Sequence, residues 1–216
     1  MTQVGGGPPV AVALLDNHDV LVADDSRVQR FDHRTGRSEA LIDSLLKPAG
    51  LAVCNDGLLA VSDRLSRTVR FLHDDGRPAA LHWPERMFAM PTALAVARST
   101  GHIAVLDAER ATVSVHLPPA TGRSQSSSSA ASASAAAVCT MQLASPTHVA
   151  VDVNSGGKVF VSDALHYCVK VCLFTLAHLS PCVLSMTALL YSRRDLLPGR
   201  MSYKATKPDC LSCLSF

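Results

Sequence analysis

Leu59-Ala-Val-Ser-Asp63 is one of four copies of a short apolar phrase that ends on an aspartate. The other copies are Val20-Leu-Val-Ala-Asp24, Ile103-Ala-Val-Leu-Asp107 and Val159-Phe-Val-Ser-Asp163. Since the aspartates occupy positions 24, 63, 107 and 163, their spacings are 39, 44 and 56 residues. Repetition at a period of a few tens of residues indicates a repeat array, in which each copy forms one structural unit.

Two further β-prone runs flank each copy of the phrase. The preceding runs lie at residues 10–14, 51–53, 94–96 and 149–151, and the following runs at 28–31, 68–71, 112–115 and 168–171. Asn55-Asp-Gly57 separates the first run from the second, as a β-hairpin requires. His73-Asp-Asp-Gly76 turns the third run toward a fourth, outer strand predicted at 79–83. Short strands with turn signals at regular spacing predict an all-β protein.

The second copy carries the most complete pattern. It reads Pro48-Ala-Gly-Leu-Ala-Val53, then Gly57, then the phrase itself, and finally Val69-Arg-Phe71. This pattern resembles the NHL repeat, and the resemblance covers about residues 10–173. It implies an all-β, NHL-type β-propeller with about four blades present of a probable six, and therefore a partial or open ring. The open blade edges of such a ring favour self-association.

The predicted domain organisation follows from these repeats. We expect a flexible N-terminus at residues 1–9 and blades at about 10–45, 46–85, 88–123 and 144–173. The Ser/Ala-rich, low-complexity segment 122–137 is predicted to be a loop. Residues 174–216 break the pattern and are interpreted as a divergent apolar and basic tail. The uncharged stretch 171–191 is long enough for a membrane span, but Pro181 and several Ser and Thr residues favour a divergent C-terminus.

Charge and cysteine content narrow the function classes. Residues 1–170 hold 15 Lys/Arg and 16 Asp/Glu, whereas a nucleic-acid-binding domain usually has a basic excess. No basic region precedes the short apolar run at 10–15, so no signal peptide is predicted and we expect a cytoplasmic or nuclear protein. Seven cysteines, an odd number, do not resemble a disulfide framework.

The repeated aspartates are the residues that invite a catalytic or metal-binding interpretation. A structural role is favoured, because a carboxylate at a strand end can accept hydrogen bonds from loop backbone N–H groups. A metal site would need further convergent ligands, and the lone Cys210-Leu-Ser-Cys213 lacks a second cysteine pair. The sequence thus predicts no catalytic, metal or cofactor site, and a propeller lyase or hydrolase ranks last. The predicted structural aspartates are Asp24, Asp63, Asp107 and Asp163.

The loops between the second and third strands carry the predicted partner-binding rim. Its members are Arg27, Arg67, Arg110, His166 and Tyr167. Such residues could hold an acidic peptide or a phosphate by charge-assisted hydrogen bonds. The alternative is that the arginine stems simply pack on the blades.

The resemblance to the NHL repeat also indicates which partners to expect. The tripartite-motif group is the most similar branch of the NHL family, and its propellers recruit proteins, often for ubiquitin transfer. The zinc-binding and coiled-coil segments of that group do not precede residue 10 in this sequence. The resemblance therefore implies a non-catalytic module that binds proteins. RNA is the alternative ligand, with the arginines on phosphates and Tyr167 stacking on a base.

Overall fold

The computed structural model describes residues 7–118, 137–152, 158–173 and 186–190. Every regular element in these ranges is a β-strand, and the sixteen strands form four four-stranded antiparallel sheets. Strands of each sheet follow one another in chain order, from the inner strand to the outer strand. This arrangement confirms the prediction of an all-β propeller with four blades.

The strand boundaries agree closely with the apolar runs. Blade 1 contains β1 (Ala11–Leu14), β2 (Val20–Ala23), β3 (Val28–Phe31) and β4 (Ser38–Ile42). Blade 2 contains β5 (Pro48–Val53), β6 (Leu59–Asp63), β7 (Thr68–Leu72) and β8 (Pro78–His82). Blade 3 contains β9 (Pro91–Val96), β10 (Ile103–Asp107), β11 (Thr112–His116) and β12 (Ala137–Gln142). Blade 4 contains β13 (Pro146–Val151), β14 (Lys158–Asp163), β15 (Cys168–Leu173) and β16 (Met186–Leu190).

Two outer strands lie beyond the blade boundaries expected from the repeat period. The third sheet ends with β12, which pairs with β11 and lies after the Ser/Ala-rich segment instead of before residue 123. The fourth sheet ends with β16, which pairs with β15 and lies inside the stretch assigned to the tail. The outer strand carries no repeat phrase, so the sequence pattern alone could not locate it behind an insertion.

Parts of the expected organisation fall outside the described residues. These parts are residues 1–6, 119–136, 153–157, 174–185 and 191–216. Within the described ranges, no helix has the length and apolar character needed to cross a membrane.

Three apolar cores hold the four blades together. Alternating side chains of each strand point to the preceding blade and to the following blade, because side chains in a strand alternate between its two faces. The first core joins blades 1 and 2, the second joins blades 2 and 3, and the third joins blades 3 and 4. The inner strands accordingly contact one another in the series β1, β5, β9 and β13.

The second core contains the sole tryptophan of the chain. Trp83 is 6% exposed and packs edge-on against Phe71 and Phe88, with ring centroids 5.2 and 5.5 Å away. His116 of blade 3 lies 5.4 Å from the same indole ring. Because these aromatic rings come from both sides of the interface, the fluorescence of Trp83 reports the contact between blades 2 and 3.

Candidate partner-binding site

The propeller has two ends with different loops. One end, here the loop face, carries the loops between second and third strands at residues 24–27, 63–67, 107–111 and 163–167, together with the connections between blades. Among the described residues, the opposite end, here the hairpin face, carries the first turns of blades 1, 2 and 3 and the turns between the third and fourth strands of blades 1 and 2. All five predicted rim residues lie on the loop face.

Asp63 fastens the loop face of blade 2. Its two carboxylate oxygens accept hydrogen bonds from the backbone N–H groups of Leu46 and Lys47, at 2.9 Å each. The same carboxylate accepts from the N–H groups of Leu65 and Ser66 at 3.3 and 3.4 Å. One buried side chain thus joins the incoming connection to the loop that follows the second strand.

Asp107 and Asp163 repeat this arrangement in blades 3 and 4. Asp107 accepts hydrogen bonds from the N–H groups of Ala89 and Met90 at 2.7 and 3.0 Å. Asp163 accepts from the N–H groups of Ala144 and Ser145 at 3.2 and 3.0 Å. The geometry of all three aspartates is that of a structural fastener, since their oxygens are directed to backbone donors of this chain.

Asp24 shares the loop donors of Asp63 but differs in the donors from the incoming connection. The offset of 39 residues between the first two blades places Pro8 where Lys47 stands, and proline has no N–H to donate. Asp24 accepts from the N–H groups of Ser26 and Arg27 at 3.1 and 3.2 Å and, in place of a donor from the incoming connection, from Nε of Arg27 at 2.8 Å. The guanidinium therefore substitutes for the missing backbone donor.

These contacts lower the pKa values of Asp63 and Asp163 and so keep both carboxylates ionised. Burial raises the pKa of Asp63, but the hydrogen bonds from Leu46 and Lys47 outweigh burial and hold the pKa below its usual value. At Asp163, burial is likewise outweighed by hydrogen bonds from His166 and Lys170, so its pKa is well below the usual range. A carboxylate with a lowered pKa is a poor general acid at neutral pH.

Three of the five rim residues turn back toward the repeated aspartates. Arg27 binds Asp24, and Nδ1 of His166 lies 2.9 Å from Asp163. Arg110 donates to the carbonyl oxygen of Met87 at 2.6 Å and lies 3.7 Å from Asp107. Each residue stands three positions after its aspartate, which is the spacing that lets its side chain reach the carboxylate. These three side chains are therefore engaged within the blades.

The other two rim residues stand at a different backbone position. Arg67 and Tyr167 each follow their aspartate by four positions and adopt positive φ angles of 58° and 50°. Ala111 holds the same position in blade 3, with φ of 52°. Tyr167 is 72% exposed, and Arg67 is exposed as well. The left-handed backbone conformation at this position ends the loop. It distinguishes this position from the preceding one, whose side chains contact the aspartates.

The loop face also exposes apolar side chains that the sequence analysis did not single out. Their exposed fractions lie between 61% and 67%, and they are Leu46, Leu65 and Leu165. Leu65 and Leu165 occupy the same loop position in blades 2 and 4, two residues after the aspartate. These exposed leucines could have been predicted from the sequence, because a leucine at a loop position with polar neighbours does not fit the apolar pattern of a strand.

The hairpin face holds a second polar cluster, in blade 1. Ligand atoms of Asp19, Asp32 and His33 lie within 4.8 Å of one another, a spacing that could accommodate a metal ion. Asp19, however, is bound by Arg30 through Nη2 at 2.7 Å and Nε at 2.8 Å, and by Nδ1 of His33 at 3.2 Å. A cation would have to displace the guanidinium, so the cluster is better described as a partly buried ion-pair and hydrogen-bond network around Asp19.

A cleft of about 360 Å³ opens beside this cluster, between blades 1 and 2. Its walls combine apolar and acidic side chains, including Leu15, Val53, Asp16, Asp56 and Asp74. The cleft lies on the hairpin face, so none of the predicted rim residues lines it.

No protein-family model matches the chain, and no curated protein matches its sequence. Solved structures do match. A nidogen/laminin complex has a TM-score of 0.62 and 15% identity, over 80% of this chain and 62% of that chain. A streptogramin B lyase has a TM-score of 0.62 and 12% identity, over 89% of this chain and 57% of that chain. A virginiamycin B lyase from Staphylococcus aureus has a TM-score of 0.59 and 10% identity, over 82% of this chain and 54% of that chain.

This chain therefore spans about six-tenths of the length of the first two structures that it resembles. Identities of 10–15% establish a shared fold and leave activity and ligand undetermined. On the four sheets and these likenesses, the chain is a β-propeller.

Proposed function

We propose that this propeller is a non-catalytic interaction module that binds protein partners through its loop face. The observation that carries the proposal is the joint exposure of Tyr167 and three leucines on the end that also presents Arg67. Solvent-exposed aromatic and large apolar side chains beside arginine are typical of protein-binding surfaces. Tyrosine and arginine are also the side chains that most often dominate binding energy.

The preferred partner is an acidic segment of a protein. Arg67 offers a guanidinium that can bind a carboxylate or phosphate in a bidentate manner. Leu65, which stands two residues before it, offers an apolar contact for a neighbouring side chain. An extended peptide with acidic and apolar residues satisfies both groups.

The sequence pattern supports a narrower proposal within this class. Because the repeats resemble those of tripartite-motif NHL proteins, we propose that the module recognises substrates for a ubiquitin-ligase system supplied by other polypeptide segments. The likeness to a propeller solved in a nidogen/laminin complex supports protein partners in general. The likenesses to lyases concern the fold, and the repeated aspartates Asp63, Asp107 and Asp163 accept hydrogen bonds from backbone donors of this chain.

Peptide binding tests the proposal. We would screen extended acidic and phosphorylated peptides against the full chain and measure Kd by fluorescence anisotropy. Arg67→Glu should weaken binding by at least about tenfold, and Tyr167→Asn, which tolerates the positive φ, should also weaken it. Arg77→Glu is the matched control, because Arg77 is an exposed arginine in a turn of the hairpin face. Equal binding by the Arg67→Glu variant and the native chain would contradict the proposal.

RNA is the second candidate ligand, and one observation favours it. The exposed ring of Tyr167 lies beside His166 on the loop face, and exposed rings are stacking platforms for unpaired bases. Binding of single-stranded RNA should then weaken steeply with added salt, and Tyr167→Asn should abolish it. Salt-independent binding, or no binding above that of a neutral control protein, would exclude RNA.

A further inference from the structure

The cleft between blades 1 and 2 on the hairpin face is walled by three tight turns. These turns span residues 15–18, 54–57 and 73–76, and residues of all three line the cleft. In each turn the N–H of the last residue donates to the carbonyl oxygen of the first, at 2.9, 3.1 and 2.9 Å respectively. Walls that are already ordered lose little conformational freedom when a ligand binds, so the cleft is a preformed site.

The buried part of the lining is apolar. Leu15, Val53 and Leu58 line the cleft and are 8%, 7% and 9% exposed. The cleft volume of about 360 Å³ lies at the lower end of the range found for small-molecule sites. The cleft can therefore accommodate the apolar body of a small molecule.

The outer part of the lining is acidic. Asp16, Asp56 and Asp74 all line the cleft and are all exposed. Asp16 pairs with Arg98 at 2.7 Å, whereas Asp56 accepts a hydrogen bond from the backbone N–H of Leu58 at 3.1 Å. Among the residues that the structure describes, Asp74 has no hydrogen bond or ion pair. The cleft thus carries two carboxylates, of Asp56 and Asp74, that no cation of the described chain neutralises.

The basic side chains at the cleft do not reverse this charge. Arg30 is directed to Asp19, with its Nε at 2.8 Å and its Nη2 at 2.7 Å from one carboxylate oxygen. Its positive charge is therefore balanced by a carboxylate outside the lining. His73 is the other basic residue of the lining, and it is exposed in the third turn. An anion entering the cleft would meet two carboxylates, so the electrostatics favour a cation.

We propose that this cleft binds a small organic cation, in which an ammonium or guanidinium group is attached to an apolar body. The cationic group pairs with Asp56 and Asp74 by charge-assisted hydrogen bonds, and the apolar body contacts Leu15, Val53 and Leu58. The cleft lies at the opposite end of the propeller from the loop face. This ligand site is therefore additional to the proposed protein-binding function, and either can fail without the other.

Titration of the full chain with 2-naphthylmethylamine tests the proposal. We expect a Kd of roughly a millimolar for a probe of this size, with shifts in the methyl NMR resonances of Leu15, Val53 and Leu58. The neutral 2-naphthylmethanol and the anionic 2-naphthoate have nearly the same shape. The alcohol should bind at least about fivefold more weakly than the amine, and the anion should cause no shifts.

Asp74→Asn should weaken binding of the amine about fivefold and leave binding of the alcohol unchanged, because it removes a charge and retains the side-chain shape. Asp75→Ala is the matched control. Asp75 is the next residue of the same turn, but it pairs with Arg77 and lies outside the lining. Asp75→Ala should leave the affinity for the amine unchanged, and so should Arg67→Glu on the loop face. Loss of amine binding in Arg67→Glu would place the amine on the loop face and overturn the proposal.

Three further outcomes would overturn the proposal. Equal affinities for the amine and the alcohol would show that the carboxylates do not select a charge. Shifts confined to residues other than Leu15, Val53 and Leu58 would place the amine elsewhere. Undiminished amine binding in both Asp74→Asn and Asp56→Ser would show the same, where serine retains an oxygen that can accept from the N–H of Leu58. Trp83 emission establishes that each variant is folded.

Discussion

Arg98 of blade 3 pairs with Asp16 of blade 1, with Nη1 lying 2.7 Å from Oδ1. This contact extends over the hairpin face past blade 2, whose Asn55 donates its side-chain N–H to the carbonyl oxygen of Arg98. The first turns of three blades thus meet at one end of the propeller. Arg98 and Asp16 are 82 residues apart in sequence. Their contact shows that the turns after the inner strands converge near the propeller axis.

We expect the Arg98 contact to contribute little stability despite its position. Arg98 and Asp16 have side chains that are 46% and 79% exposed, and exposed ion pairs are worth at most about 1 kcal/mol. Arg98→Ala should therefore lower the free energy of unfolding by less than about 1 kcal/mol. Urea titration followed by Trp83 fluorescence measures this. A loss several times larger would show that the contact organises the ring.

Asp63→Ala should have a much larger effect. Removal of the carboxylate leaves the N–H groups of Leu46 and Lys47 without their acceptor, and each unsatisfied buried donor costs about 1–3 kcal/mol. We expect a loss of about 2–4 kcal/mol in the free energy of unfolding, measured by urea titration. Asp75→Ala is the control, because Asp75 lies in an exposed turn and pairs with the exposed Arg77; it should cost less than about 1 kcal/mol. Equal effects at the two positions would contradict the fastener role.

Gly50→Ala tests the close approach of blades 2 and 3. The added Cβ would lie 2.9 Å from the Cα of Ala93 and 3.0 Å from the backbone nitrogen of Leu94, so the inner strands must separate. Overpacking of this kind typically costs about 1–3 kcal/mol, and thermal unfolding should show the corresponding fall in Tm. His148→Ala, at the corresponding exposed position of blade 4, should leave Tm unchanged. A stable Gly50→Ala variant would mean that the interface is loosely packed.

Stability should fall in acid. The folded-state pKa values of Asp24, Asp63 and Asp163 are lowered relative to the ordinary value of 3.8. A lowered pKa means that the folded state binds fewer protons than the unfolded chain, so the stabilisation is complete above about pH 4 and is lost progressively below it. Urea titrations at a series of pH values should show this decline, and Asp63→Asn should make it shallower. An unchanged slope would contradict the assignment.

Cys54 should resist alkylation in the folded protein. Burial, together with a smaller contribution from the nearby carboxylate of Asp56, raises the pKa of its thiol to about 12, so almost no thiolate exists at neutral pH. Maleimide treatment followed by peptide mass mapping should leave Cys54 unmodified. The urea-unfolded chain, as control, should be modified there within the same time. Rapid modification of the folded chain would show that the first turn of blade 2 opens readily.

The candidate site illustrates why loop chemistry is harder to derive than strand chemistry. The sequence identified Arg27, Arg67, Arg110, His166 and Tyr167 as one group. In the structure, Arg27, Arg110 and His166 contact aspartates, whereas Arg67 and Tyr167 stand at a left-handed position. A difference of one position in the loop decides whether a side chain contacts the aspartate. The alternation of apolar residues predicts strands, and it carries no information about positions within a loop. Partner binding by this rim remains a prediction.

By itself, the sequence determined that the protein is built of four repeated antiparallel sheets. The reason is that the determinants of each sheet are local. Alternating apolar residues, turn glycines and a recurrent aspartate all occur within one run of about forty residues. Only the tertiary structure decided which apolar faces are covered. Val12 and Leu51 are alike in sequence, yet one is exposed and the other buried. That difference depends on whether another blade lies alongside, which is a long-range property of the assembled chain.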